Sequence, residues 1–71
     1  MGTIISDNEY DTVRILKISD LSDSEIIIPI FFDLDQRIKE GDTIAVSGKV
    51  ELYRETLEVV PSNSRDIKKL G

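Results

Sequence analysis

The sequence predicts an all-β fold, a small five-stranded Greek-key barrel that is closed or partly open, and three features support this prediction. Short runs rich in Ile, Leu and Val recur between polar turns, and none is as long as a typical helix. Residues 43–52 alternate between apolar and polar side chains, as a half-buried strand does. A chain of 71 residues has room for one small core, so residues 1–71 are expected to form a single domain.

Three strands are predicted in the first half of the chain, at residues 2–5, 12–18 and 25–32. The polar segment 6–9, which follows the first strand, is predicted to be a loop or a wide turn. Residues 19–24 supply turn-forming side chains between the second and third strands. Pro29 has no N–H to donate to a ladder, so we expect a bulge there or a side of the strand that lacks a partner.

A short helix is predicted between the third and fourth strands, at residues 33–40. Asp33 can cap its first turn, and Gly41 can end it. Leu34 and Ile38 lie four residues apart and therefore share one face. The helix is only about two turns long, so packing rather than intrinsic propensity must stabilise it.

The fourth and fifth strands are predicted as a hairpin, at residues 43–52 and 56–60 around a turn at 53–55. Gly48 marks a bend or a close approach of two backbones within the fourth strand. A second short helix is predicted near the C-terminus, where Asn63 or Ser64 can cap it. Ile67 and Leu70 of this helix can pack on the barrel.

The predicted core collects the apolar side chains that share one parity within each strand. It consists of Leu16, Ile18, Ile26, Ile28, Ile44, Val46, Val50, Leu57 and Val59. A flat sheet of five strands would leave two exposed edges, whereas a barrel removes them, and this difference favours closure.

The composition excludes several function classes. The chain contains no Cys and no His, which removes disulfides, thiolate nucleophiles, the most common general base and the usual zinc ligands. It also lacks a glycine-rich phosphate loop, so we expect no enzyme, no bound metal and no cofactor. No apolar run approaches the ~20 residues of a membrane span, and no charged-then-apolar leader is present. We therefore expect a cytoplasmic monomer without a membrane partner.

The charge distribution divides the chain into an acidic and a weakly basic part. The net charge of −5 opposes binding to a polyanion. Residues 1–42 hold ten acids and four bases, a net of −6, while residues 43–71 hold four acids and five bases, a net of +1. The alternative interpretation is that the acidity serves solubility alone. A basic C-terminal patch can complement the dipole of the last helix or meet phosphate; its members are Arg65, Lys68 and Lys69.

Two segments resemble the oligonucleotide/oligosaccharide-binding (OB) domains. They are residues 15–32 (ILKISDLSDSEIIIPIFF) and residues 41–60 (GDTIAVSGKVELYRETLEVV). The second is similar to the run GD-x-V-x-V-x-G-x-V-x-x-Y-R-G-x-L-x-L of OB domains that bind single strands. Such domains include the repeats of archaeal replication protein A and the anticodon-binding domains of some aminoacyl-tRNA synthetases. The chain departs from the pattern at Glu55, where the family usually has Gly. Its first strand begins almost at Met1, as in a domain excised from a larger protein.

The resemblance implies a module that binds single-stranded nucleic acid with low sequence specificity in replication, repair or RNA processing, with DNA favoured over RNA. OB barrels bind oligonucleotides across strands 2 and 3, between the loops that join strands 1–2 and 4–5. Stacking aromatic rings and cations along the backbone are needed there. The nucleic-acid-binding residues that this implies are Lys17, Phe31, Lys49, Tyr53 and Arg54. The alternative is an OB domain that serves protein–protein assembly with other domains or subunits of a larger complex.

Most of these candidates also have a purely structural interpretation. Tyr53 can cover the barrel end, and Arg54 can neutralise a neighbouring glutamate. Phe31 can belong to the core, with Lys17 merely solvated. Tyr10 in the first loop can stack on a base, although an isolated loop tyrosine more often packs locally.

Overall fold

Seven β-strands and a single 3₁₀ turn make up the computed structural model, which describes all residues from Met1 to Gly71. The strands are β1 Gly2–Glu9, β2 Arg14–Ser19, β3 Glu25–Ile30, β4 Thr43–Val46, β5 Lys49–Tyr53, β6 Thr56–Val60 and β7 Ile67–Lys69. The 3₁₀ turn spans Ser64–Asp66. The all-β class is therefore confirmed, whereas the prediction of five strands and two short helices is wrong.

The strands form one sheet in the order β5-β6-β3-β2-β1-β4-β7. Neighbours are antiparallel except β3 and β6, which run parallel. β5 lies at one edge and β4 lies next to the other edge, yet only Ser47 and Gly48 separate them along the chain. The sheet must therefore curl strongly, and it forms a half-barrel.

Gly48 divides the predicted fourth strand into two. Before it, β4 pairs with β1 and β7, and after it, β5 pairs with β6. A Cβ atom at Gly48 would collide with the backbone carbonyl of Val60, so only glycine fits at this bend. The predicted close approach of two backbones at this position is confirmed.

The core is dominated by isoleucine and lies inside the curl of the sheet. Its buried members are Ile4, Leu16, Ile18, Ile28, Ile30, Ile38, Ile44 and Ile67. Predicted core residues that the structure confirms are Leu16, Ile18, Ile28 and Ile44, with Ile26 and Val46 partly buried against them. Val59 is half-buried.

Two of the predicted core residues are wrong, because Val50 is 63% exposed and Leu57 is 39% exposed. Both belong to the β5–β6 hairpin. That hairpin is tied to the rest of the sheet by only two residue pairs, which join β6 to Ile26 and Ile27 of β3. The apolar side chains of the hairpin therefore project from the same face of the sheet as the core residues, but no other element packs over them.

Residues 33–40 form no helix, so the predicted first helix is wrong. Tertiary hydrogen bonds use the polar groups of this segment instead. Gln36 donates from Nε2 to the carbonyl oxygen of Ile67 at 2.6 Å, and the carbonyl oxygen of Ile38 accepts from Arg14 Nη2 at 3.1 Å. These contacts fix an irregular segment that still buries Ile38, as a two-turn helix was expected to do.

The predicted C-terminal helix is reduced to the 3₁₀ turn and is followed by β7. Asn63 caps the turn as predicted, because its side chain accepts a hydrogen bond from the backbone N–H of Arg65 at 2.9 Å. Ile67 is buried, whereas Leu70 is exposed. Pairing with β4 extends the chain after the turn, so a second helical turn cannot follow.

The polar segment 6–9 continues β1, so the predicted loop is wrong there. It pairs with β2 beyond a register shift between Ile4 and Ser6. Pro29 pairs with Ile15 on one side, while the β6 ladder on the other side ends at Ile27. One side of the strand therefore lacks a partner at the proline, as expected.

Candidate binding site

An open groove of about 880 Å³ lies between the β2–β3 face and the turn that joins β5 to β6. We call it the turn groove. Its lining consists of Lys17, Asp20, Ser24, Glu25, Ile27 and residues 52–58. Lys17 and Ile27 are opposite each other in the β2–β3 register and so project from the same face.

The wall of the turn groove is a two-residue hairpin turn. Arg54 and Glu55 both have positive φ, 50° and 66°, which is the conformation of a type I′ turn. Tyr53 and Thr56 are the closing pair of the hairpin. The Arg54 guanidinium carbon lies 5.4 Å from the centre of the Tyr53 ring, within the range of a cation–π contact. The turn therefore presents a ring and a guanidinium together at the groove.

Acidic side chains outnumber basic ones in the turn groove. Lys17 and Arg54 are its two cations, and the acids are Asp20, Glu25, Glu55 and Glu58. Lys17 Nζ lies 3.4 Å from Glu25 Oε1. Exposed ion pairs of this kind contribute little to stability. The groove carries a formal charge of −2, and this limits its attraction for anions.

Asp20, which lines the groove, stabilises the β2–β3 turn through hydrogen bonds. Its Oδ1 accepts hydrogen bonds from the Ser22 hydroxyl at 2.8 Å and from the backbone N–H groups of Ser22 at 2.9 Å and Ser24 at 3.0 Å. The Ser22 side-chain hydrogen bond, with the backbone ones, lowers the pKa of Asp20. These three hydrogen bonds fix the turn around the Asp20 carboxylate.

Three of the five predicted site residues meet in the turn groove, namely Lys17, Tyr53 and Arg54. Lys49 lies elsewhere. It is opposite Val60 at the far end of β5, and its Nζ lies 3.2 Å from Glu51 Oε1. Glu25 and Glu58 also line the groove, and neither was among the predicted site residues. Parity along β3 would have placed Glu25 on the face of Ile27 and Lys17.

Phe31 follows β3 and lies in a second cleft of about 360 Å³, which we call the aromatic cleft. The cleft brings Phe31 and Phe32 together with Tyr10 of the β1–β2 loop. Phe31 is 65% exposed, so it is not a core residue, whereas Phe32 packs partly against the core. Lys17 and Phe31, both predicted to bind nucleic acid, thus line different clefts.

Arg14 lines the aromatic cleft but is committed to an ion pair. It donates from Nε and Nη2 to the two carboxylate oxygens of Asp7, at 2.9 Å and 2.7 Å. The Arg14 hydrogen bonds, aided by its charge and opposed by partial burial, lower the pKa of Asp7. This bidentate contact joins β1 to β2, so Arg14 has a structural role rather than that of a free cation.

No three His, Asp or Glu side chains converge in a way that could hold a metal ion. The structure also contains no helix with the length and apolarity needed to cross a membrane. Comparison with protein-family models, with curated proteins and with solved structures gives no match for this chain.

Proposed function

We propose that this chain is an OB barrel that binds single-stranded nucleic acid with low sequence specificity, as one part of a replication, repair or RNA-processing protein. The strand order supports the OB assignment. β4 and β5 can be counted as one strand that bends at Gly48. The neighbouring strands then follow the order β1-β2-β3-β6-β5/β4, and β4 pairs with β1 to complete the circuit. A five-stranded, partly open Greek-key barrel has this closed order.

The observation behind the binding proposal is the meeting of Lys17, Tyr53 and Arg54 in the turn groove. OB barrels bind oligonucleotides on the face of strands 2 and 3, beside the loop that joins strands 4 and 5. Here β2, β3 and the β5–β6 turn occupy those positions. Tyr53 would stack on a base, while Arg54 and Lys17 would contact phosphates on either side of it.

Fluorescence anisotropy with a labelled oligothymidine at about 20 mM salt, where screening is weakest, tests this proposal. Tyr53→Ala should weaken binding by about 5- to 150-fold, because base–aromatic stacking contributes about 1–3 kcal/mol. Leu70→Ala is the control, since Leu70 is exposed, lies outside both clefts and, like Tyr53, carries no charge. If the wild-type protein binds no single strand under these conditions, the proposal fails.

Protein–protein assembly is the second candidate function, and the excess of acids in the turn groove favours it. Asp20, Glu25, Glu55 and Glu58 suit a basic peptide better than a phosphate backbone. The same anisotropy assay with a labelled Lys/Arg-rich peptide separates the two candidates. Preference for the peptide over oligothymidine would make assembly the better account.

A further inference from the structure

The two edges of the sheet differ in how they are protected. β7 has only three residues, and two of them are the exposed lysines Lys68 and Lys69. Short edge strands that carry lysine resist pairing with another chain. β5 has five residues and no proline, and its backbone makes no hydrogen bond outside the β5–β6 ladder. The β5 edge is therefore open to a further strand.

The exposed edge is accompanied by an exposed apolar face. Val50 and Leu52 project from the same face of β5, opposite Val59 and Leu57 of β6. Leu52 is 71% exposed and Val50 is 63% exposed. Apolar side chains that neighbour one another on a surface mark an interaction site more often than isolated ones do.

The hairpin geometry fixes which residues of β5 can pair outward. The closing pair of a two-residue hairpin, here Tyr53 and Thr56, exchanges backbone hydrogen bonds. Along an antiparallel strand, the backbone N–H and C=O groups of successive residues point alternately to opposite sides. Those of Glu51 and Lys49 therefore also point toward β6. Val50 and Leu52 therefore direct their N–H and C=O groups away from β6, into the open edge.

We propose that two copies of this chain associate through β5, antiparallel about a two-fold axis at Val50, so that the two sheets become continuous. In this register Val50 lies opposite Val50 of the second copy. Lys49 lies opposite Glu51 of the second copy, and symmetry repeats that pair on the other side of the axis. The interface is self-complementary in apolar contacts and in charge.

Neighbouring registers lack this complementarity. Side chains that lie opposite each other in two paired strands project from the same face of the sheet. The two-fold axis must therefore pass through a residue of β5, and the alternative registers place it at a neighbouring residue. An axis at Glu51 places two glutamates opposite each other, and like charges in that position are unfavourable. An axis at Leu52 places Glu51 opposite Tyr53 and Lys49 opposite Glu55, which lies in the β5–β6 turn, so no charged pair joins the two copies of β5. Charge therefore selects the axis at Val50.

A five-residue edge makes a small interface, below the ~1,200 Å² at which stable complexes usually begin. The association is therefore weak and depends on protein concentration. It requires no nucleic acid, so its success or failure is independent of the proposed function.

Sedimentation velocity without nucleic acid, from low micromolar to millimolar protein, tests the dimer. The wild-type sedimentation coefficient should rise from the monomer value to that of a dimer and stop there. Val50→Lys should remain monomeric, because it places two lysines opposite each other. Leu21→Lys is the matched control, since Leu21 is 95% exposed in the β2–β3 turn and should not affect association.

A charge exchange tests the register. Lys49→Glu and Glu51→Lys should each weaken dimerisation, because each makes the two facing pairs like-charged. An equimolar mixture of the two variants should dimerise again, since every facing pair is then a lysine and a glutamate. Circular dichroism establishes that all variants are folded. A wild-type protein that stays monomeric, oligomers larger than a dimer, or a mixture that fails to associate would each overturn the proposal.

Discussion

Glu55 occupies a backbone conformation that ordinarily selects glycine or asparagine. Its φ is +66°, and that of the preceding Arg54 is +50°. A left-handed conformation costs an ordinary residue about 1–2 kcal/mol. The OB-like pattern has Gly at the position of Glu55, and the type I′ turn supplies the physical reason. Glu55 is therefore an unusual residue at this position. Its positive φ places backbone strain in the β5–β6 turn that forms the wall of the turn groove.

Replacing Glu55 with Gly should therefore stabilise the protein. We expect Glu55→Gly to raise the free energy of unfolding by about 1 kcal/mol in urea denaturation, because glycine adopts positive φ without a steric penalty. Glu25→Gly is the matched control. Glu25 lies in β3 with ordinary strand geometry, so glycine there should destabilise by about 0.5–1 kcal/mol. Equal effects of the two substitutions would show that Glu55 is not strained.

The ion pair of Asp7 and Arg14 should make stability depend on acid pH. The pKa of Asp7 is lowered from 3.8 in the folded protein, so its contribution is present above the unfolded value and is lost as pH falls through the folded one. Asp7→Asn should cost about 1–3 kcal/mol at neutral pH. Urea denaturation between about pH 5 and about pH 2 should show a shallower decline for the variant than for the wild type.

Asp11→Asn is the control for this pH dependence. Asp11 is exposed in the β1–β2 loop and forms no ion pair. This substitution should leave both the stability and its decline in acid close to wild type. Identical acid profiles for Asp7→Asn and the wild type would exclude the Asp7–Arg14 pair as a source of stability.

At the scale of elements, the sequence predicts which face of a strand a side chain projects from. It does not predict whether another element packs over that face. Val46 and Val50 share one parity, and both were assigned to the core. Val46 packs against it, whereas Val50 is exposed because the hairpin extends past the β3–β6 pairing. Parity specifies which face a side chain occupies. Whether another element covers that face depends on the curl of the whole sheet.

Irregular segments were the least predictable elements, for a related reason. The spacing of Leu34 and Ile38 is helical, yet a segment about two turns long has little helical stability of its own. Contacts with β2 and β7 decide its path instead. Likewise, the polar residues 6–9 become a strand because β2 lies alongside them and Arg14 pairs with Asp7. Such long-range partners leave no local pattern in the sequence.

The same Val→Ala substitution at positions 46 and 50 tests whether a side chain on the core face is also buried by another element. Val46→Ala should destabilise the fold by about 1–2 kcal/mol, because it removes apolar volume packed against the core. Val50→Ala should cost less than about 0.5 kcal/mol at low protein concentration, since its side chain is largely in water. Thermal denaturation of both variants measures the difference. Equal losses would mean that the hairpin face is buried in solution.

At the scale of the whole molecule, the curl of the sheet decides which predicted site residues meet. Lys17, Tyr53 and Arg54 come together because the sheet brings the β5–β6 turn beside β2 and β3. Phe31 lies just after the end of β3 and Lys49 at the start of β5, so both belong to other parts of the surface. The net charge of −5 adds a general repulsion of polyanions, so the few cations in the groove must account for any phosphate binding.

This small number of cations sets the expected dependence of nucleic-acid binding on salt. For single strands the slope of log K against log salt is about −0.7 per neutralised phosphate, so two groove cations give about −1.4. Arg54→Ala should make the slope shallower by about 0.7, because one phosphate contact is lost. Tyr53→Ala should lower affinity and leave the slope unchanged, since stacking releases no counterions. Anisotropy titrations of a labelled oligothymidine at several salt concentrations measure all three slopes, and a wild-type slope of about −4 or steeper would place the phosphate contacts outside the turn groove.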